Sequence, residues 1–201
     1  MMASLKSVHL GLMLLIATSL LGCAKQVRYG DAGAVETLNT DFGSTDLQMM
    51  ARKMVDSLSS FPPILKLTQY RRPVVFVDDI RNKTSEHVDT ESLTDTIATR
   101  LLRTGKFQFV DRTRIDSIQA ELDFQHHSGL VDSARAVAVG KQVGAEFMLS
   151  GNLASINKRD GVTKDVYMKL TLSLINLRSG LIEWQDEKEI RKVQESSLFG
   201  W

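Results

Sequence analysis

Hydrophobic side chains recur along this chain in three patterns, and each predicts a different element. Leu47, Met50, Ala51, Met54, Val55 and Leu58 are spaced as one face of a helix. Thr45-Asp46-Leu47-Gln48 has the form of a capping box that opens this helix. Phe61-Pro62-Pro63 stops it, because a residue before proline is driven out of the helical region. Leu93, Ile97, Leu101 and Leu102 form a second stripe, capped by Asp89 or Thr90 and ended by Gly105. Shorter stripes predict helices over 114–122, with Ile115, Ile118 and Leu122 on one face, and over 133–143, capped by Asp132 and closed by Gly144.

The second pattern is a short apolar segment: Val74–Val77 after Pro73 is continuous and predicts a buried strand, and Phe107-Gln108-Phe109-Val110 predicts the next strand. The third is strict alternation. Val166, Met168, Leu170, Leu172 and Leu174 interleave with Tyr167, Lys169, Thr171 and Ser173, so a strand over 166–177 buries the first set and turns the second the other way. A strand over 145–156 precedes it across a turn-rich stretch, 157–165. Arg178-Ser179-Gly180 turns tightly into a last strand over 181–193. Residues 78–87 and 124–129 read as polar loops. Strands and helices alternate early and three consecutive strands follow. The expectation is therefore an α/β (α+β) fold: one compact domain over 44–194, a mixed β-sheet with packed helices, and a tail at 195–201.

The amino terminus reads differently. Lys6 makes a short positive region, and residues 10–21 are a 12-residue apolar run, too short to span a bilayer and suited to a signal peptide. The run ends in Leu20-Leu21-Gly22-Cys23, which resembles the lipobox of bacterial lipoproteins. A small residue lets a peptidase reach the bond before the cysteine, and the thiol takes a diacylglyceryl group. The resemblance implies a signal peptide over 1–22 and a triacylated Cys23, anchored stably because several acyl chains are buried. Ala24, where aspartate favours the inner membrane, implies the outer membrane and a periplasmic domain. Residues 24–43 then form a tether, about 70 Å when fully extended.

Charge narrows the partners. Loss of residues 1–22 leaves 24 basic and 24 acidic side chains, a balance that argues against a nucleic-acid binder, which needs a concentrated basic face, though it leaves room for a small local patch. Cys23 is the sole cysteine, so lipid consumes the one thiol nucleophile. His126-His127 are adjacent, and neighbours in sequence rarely converge on one ion. Asp78-Asp79 reads as a strand-end loop, with a Mg²⁺ or acid/base pair as the alternative. No catalytic constellation, metal site or cofactor is expected, and the chain is read as a non-enzyme. A binding surface fits better. Tyr167 and Lys169, with Arg178 in the following turn, form one candidate patch, the alternative being that Tyr167 packs under a helix. Arg81, Asn82 and Lys83 form a second.

Four segments carry a family resemblance: Phe76-Val77-Asp78-Asp79-Ile80-Arg81-Asn82-Lys83-Thr84; Leu101-Leu102-Arg103-Thr104-Gly105-Lys106-Phe107; Val143-Gly144-Ala145-Glu146; and Asn176-Leu177-Arg178-Ser179-Gly180-Leu181-Ile182-Glu183-Trp184. They resemble the LpoB family of outer-membrane lipoproteins that activate penicillin-binding proteins, over about residues 42–192. The resemblance implies a fold like the amino-terminal domain of TolB. It implies a monomer that docks on a small accessory domain of a bifunctional class A penicillin-binding protein and stimulates peptidoglycan synthesis. Family members carry a long Pro- and Gln-rich tether where this chain has about 20 residues. Either the partner reaches further toward the outer membrane or the partnership differs. The alternative function is a curli-type secretion lipoprotein that assembles into rings, with which the chain shares the 105–112 segment GKFQFVDR. An unrecognised periplasmic enzyme, betrayed by a deep cleft with convergent acids, is a third reading.

Overall fold

The computed structural model describes residues 28–36, 38–111, 114–132, 134–137 and 144–195. Residues 28–34 belong to a small unit of their own, in which the Asp31 carboxylate accepts the Gly33 N–H at 2.8 Å. The main unit begins at Val35.

The first helix, α1 (Ser44–Ser60), starts earlier than the Thr45 box predicts: its N-cap is Gly43, and Asp46 reaches back to accept the Gly43 N–H at 2.9 Å. Residues just before it, read from the sequence as tether, are fastened to the domain. The Glu36 carboxylate accepts the Thr45 N–H at 3.1 Å and the Ser44 hydroxyl at 3.1 Å, and Thr40 is buried. Phe61 takes an extended conformation ahead of Pro62 and ends α1. A short helix, α2 (Pro62–Thr68), follows with proline in its first turn, where the missing N–H costs nothing.

Strand β1 (Val74–Val77) is as the apolar run predicts. After it the polar stretch contains a strand that the sequence pattern did not mark, β2 (Arg81–Lys83). Helix α3 (Thr90–Arg103) is capped by Asp89, whose carboxylate accepts the Ser92 N–H at 3.0 Å, and Gly105 follows it with φ +70°. Next come β3 (Gln108–Val110) and α4 (Ile115–His127), which runs beyond Leu122 into the expected 124–129 loop. None of the described α4 side chains is buried, and Ile118 and Phe124 stand exposed. The Ile115 side chain lies outside the described set. So does most of the expected 133–143 helix; its described part, 134–137, begins as a turn on Asp132.

Three 14-residue strands complete the unit: β4 (Phe147–Asp160), β5 (Thr163–Asn176) and β6 (Ile182–Glu195). The 157–165 connection is strand almost throughout, closed by a two-residue turn with Gly161 at φ +54°, the residue type that a two-residue hairpin takes at that position. The sheet order is β3-β1-β4-β5-β6. β3, β1 and β4 are parallel, and β4, β5 and β6 form an antiparallel meander. β2 pairs in parallel with β4 further along the edge that β1 uses. Between them Ile80 turns into the core, 3% exposed, and donates its N–H to Thr94 Oγ1 at 3.2 Å.

The core lies on one face of the sheet. Met50, Met54 and Leu58 of α1 and Leu93, Ile97 and Leu101 of α3 pack against Leu149, Leu153, Met168, Leu170, Leu172 and Trp184. Burial of such apolar surface is the main stabilising term of the fold. The alternating positions of β5 consequently point away from α1 and α3.

Candidate binding surface

The open face of the sheet is built by register. Side chains of directly paired residues point the same way, so pairing places the candidate residues in rows. Lys83 on β2 pairs with Ala154, Ala154 with Lys169, and Lys169 with Glu189. One step along, Arg81 pairs with Asn152, Asn152 with Thr171, and Thr171 with Glu187. On the other side of the first row, Ile156, Tyr167 and Arg191 lie side by side. The two candidate patches thus merge. Lys83 and Lys169 are two strand spacings apart, about 10 Å.

Asn82 belongs elsewhere. It pairs with Leu153, on the core side, and ties its own loop: its amide donates to Glu86 O at 2.9 Å and its oxygen accepts the Thr84 N–H at 2.9 Å. Arg178 also leaves the group. It sits in the β5–β6 turn, eleven residues along the chain from Tyr167 at the far end of β5. There it lines a cleft with Glu146, Asn176 and Glu183.

Within the merged surface the charges are organised. Tyr167 donates its hydroxyl to Glu189 Oε1 at 2.5 Å, which pushes its pKa up to about 12. Lys169 Nζ lies 3.3 Å from Glu187 Oε2. Arg191 forks onto Asp165, with Nε 3.0 Å from Oδ1, and holds that carboxyl below its ordinary range. Arg81 and Lys83 are exposed and, among the described residues, form no ion pair. Beside them lies a shallow depression of about 430 Å³ between Ile156, Ala154, Tyr167, Lys158 and Arg191. The surface therefore presents free cations at one edge, a centre made of the half-buried Tyr167 and the exposed Ile156, and a zwitterionic far edge. Such a surface suits docking of a folded partner. Sequence reasoning missed Ile156, Arg191, Glu187 and Glu189. Counting outward from the Arg178–Gly180 turn is the signal that pairs Tyr167 with Arg191.

Two other polar clusters fix the frame. Arg71 Nη1 donates to both carboxylate oxygens of Glu146, at 2.6 and 2.7 Å, and lowers its pKa. Lys53 and Ser57 of α1 both donate to Asp186 of β6. Among the described residues, no group of three or more His, Cys, Asp or Glu side chains gathers where a metal ion could be held. No described helix is long and apolar enough to cross a membrane.

Comparison with known proteins gives a concordant result. The family model for the peptidoglycan-synthase activator LpoB matches residues 46–190. The penicillin-binding protein activator LpoB of Salmonella typhimurium (strain LT2) is 26% identical over 84 residues, 40% of this chain and 40% of that protein. That of Citrobacter koseri is 22% identical over 120 residues, 59% of this chain and 52% of that protein. The chain thus spans about two-fifths to a half of the curated relatives it matches. The solved LpoB C-terminal domains from Salmonella enterica and Escherichia coli are 18% and 16% identical, each covering 72% of this chain and 98% of the domain, with TM-scores of 0.41 and 0.42.

Proposed function

Since the chain belongs to the LpoB family of peptidoglycan-synthase activators, we propose that it is a lipoprotein of the outer membrane that activates a bifunctional class A penicillin-binding protein. Lipid on Cys23 holds the chain at the periplasmic face. The domain docks through the open face of its sheet onto a small accessory domain of the synthase. The observation that carries this reading is the merger of two separate sequence patches, Arg81 and Lys83 with Tyr167 and Lys169, into one surface through the β2–β4–β5 pairing.

Activation follows from differential binding. A protein that binds the active conformation of the synthase more tightly shifts its population toward that state. A coupling of about 1–3 kcal/mol changes activity roughly 5–150-fold. Confinement of both partners between two membranes raises their effective concentration, so an interface of modest affinity suffices. The test is to mix the chain, freed of its signal peptide, with a cognate synthase and lipid II. A rise in glycan polymerisation that saturates with added chain supports activation, and an unchanged rate refutes it. Mass spectrometry of the protein from membranes tests the anchor: acyl groups on Cys23 are expected, and a free thiol contradicts it.

A further inference from the structure

Arg178 matched the docking surface in sequence but lies at the opposite end of β5, and its surroundings form a site of their own. A cleft of about 590 Å³ runs between α2 and the β5–β6 turn, within the size range of ligand sites. One wall is apolar, from Pro63 and Leu67 of α2 and Leu177 of the turn. The cleft is also lined by the Arg71–Glu146 pair, in which each charge already has its partner. Glu146 is further tied down by the Val74 N–H at 3.3 Å. Two charges on the other wall are not satisfied in this way. The Arg178 guanidinium is exposed, feels Glu146 only at a distance, and has no hydrogen bond or ion pair among the described residues. The Glu183 carboxylate accepts one amide N–H, from Asn176 at 3.0 Å, and pairs with no cation among the described residues. The turn is held rigidly, since Asn176 Oδ1 accepts the Arg178 N–H at 3.0 Å and Gly180 donates to Asn176 O at 2.8 Å. A cation on the fixed turn and an anion at the start of β6, both unpaired among the described residues and beside apolar lining from Pro63 and Leu67, match a ligand of the opposite dipole.

We propose that this cleft is a second binding site, for a dipolar peptide segment of a partner protein. An acidic side chain of the segment meets Arg178, a basic one meets Glu183, and an apolar residue between them lies on Pro63 and Leu67. The site is separate from the open sheet face, so its failure leaves the activation reading untouched.

The experiment is titration of the ¹⁵N-labelled full chain with the peptide acetyl-Glu-Leu-Lys-amide, followed by amide chemical shifts. Saturable shifts confined to Leu67, Arg71, Leu177, Arg178 and their neighbours are expected at millimolar peptide. Arg178→Glu weakens binding about tenfold or more, a loss of about 1.4 kcal/mol per factor of ten, while Arg178→Lys keeps most of it. The double charge reversal Arg178→Glu with Glu183→Arg restores binding only for the reversed peptide, acetyl-Lys-Leu-Glu-amide. Absence of saturable shifts overturns the proposal. So does binding that Arg178→Glu leaves intact, or equal binding of both peptides by the unaltered chain.

Discussion

Lys192 Nζ on β6 bonds the Asp46 carboxylate, which is 2% exposed at the start of α1, and also the backbone oxygen of Asp41 at 2.7 Å. One cation thereby ties the first helix, the segment before it and the last strand. Asp46 adds the Gly43 N–H as a third partner. Removal of one member of a buried pair strands the other without compensation. Asp46→Ala is expected to destabilise the domain by about 3 kcal/mol, the lower end of the range for buried pairs because Lys192 keeps some solvent contact. Urea unfolding measures this. The double variant Asp46→Leu with Lys192→Met costs less than the sum of its singles, since the two sites share one interaction.

Gly151 on β4 pairs with Leu172 on β5. A β-carbon there would stand 2.3 Å from Thr171 O and 2.4 Å from Leu172 Cδ2. The leucine can rotate, but the carbonyl belongs to the sheet. Gly151→Ala therefore forces the strands apart and costs about 1–3 kcal/mol, read as a lower unfolding midpoint.

Asp186 reports on the helix–sheet contact through acid stability. Burial raises its pKa, but hydrogen bonds from Lys53, at 2.7 Å, and from Ser57 outweigh burial and hold it below the ordinary 3.8. Below pH 3.8 the unfolded chain takes up this proton more readily than the folded one. The stability is thus complete above the unfolded value and is lost as pH falls through the lower folded value. In urea titrations between about pH 5 and about pH 2, Lys53→Met should lose less stability on acidification than the unaltered chain.

Tyr167 behaves in the opposite sense. Its proton is held by Glu189, and it ionises at about 12 instead of 10.0. Stability from this contact is present below the unfolded value and falls as pH climbs through the folded one. The absorbance change of phenolate, with Tyr167→Phe as reference, should show this group titrating late. Glu189→Gln should bring it back toward 10.0.

What the sequence disclosed and what it hid divide by how local the information is. The β5 alternation, the Asp89 cap and the glycine after α3 rest on neighbours in sequence, and each was legible. The Arg81–Lys83 strand was hidden because three polar residues carry no apolar period; it is a strand because β4 offers a free edge beyond β1. The β4–β5 hairpin extends further than expected because its outer end pairs polar residues, Lys158 with Asp165 and Arg159 with Lys164. Pairing there substitutes for burial. The same non-local pairing decides the proposed docking surface: it places Lys83 in the Lys169 row and sends Arg178 to the other end.

The proposed function rests on binding of the synthase by the open sheet face. The measurement is the dissociation constant of the purified chain with a cognate class A penicillin-binding protein, for the unaltered chain and for Lys83→Glu with Lys169→Glu. Both side chains are solvent-exposed or nearly so, so the double variant should keep its fold, with Lys66→Glu on α2 as a charge control. The double variant is expected to weaken binding by about tenfold or more, a change of the size seen at interface hot spots, and to lower activation in step, while the control does neither. Full affinity and full activation in the double variant would contradict it.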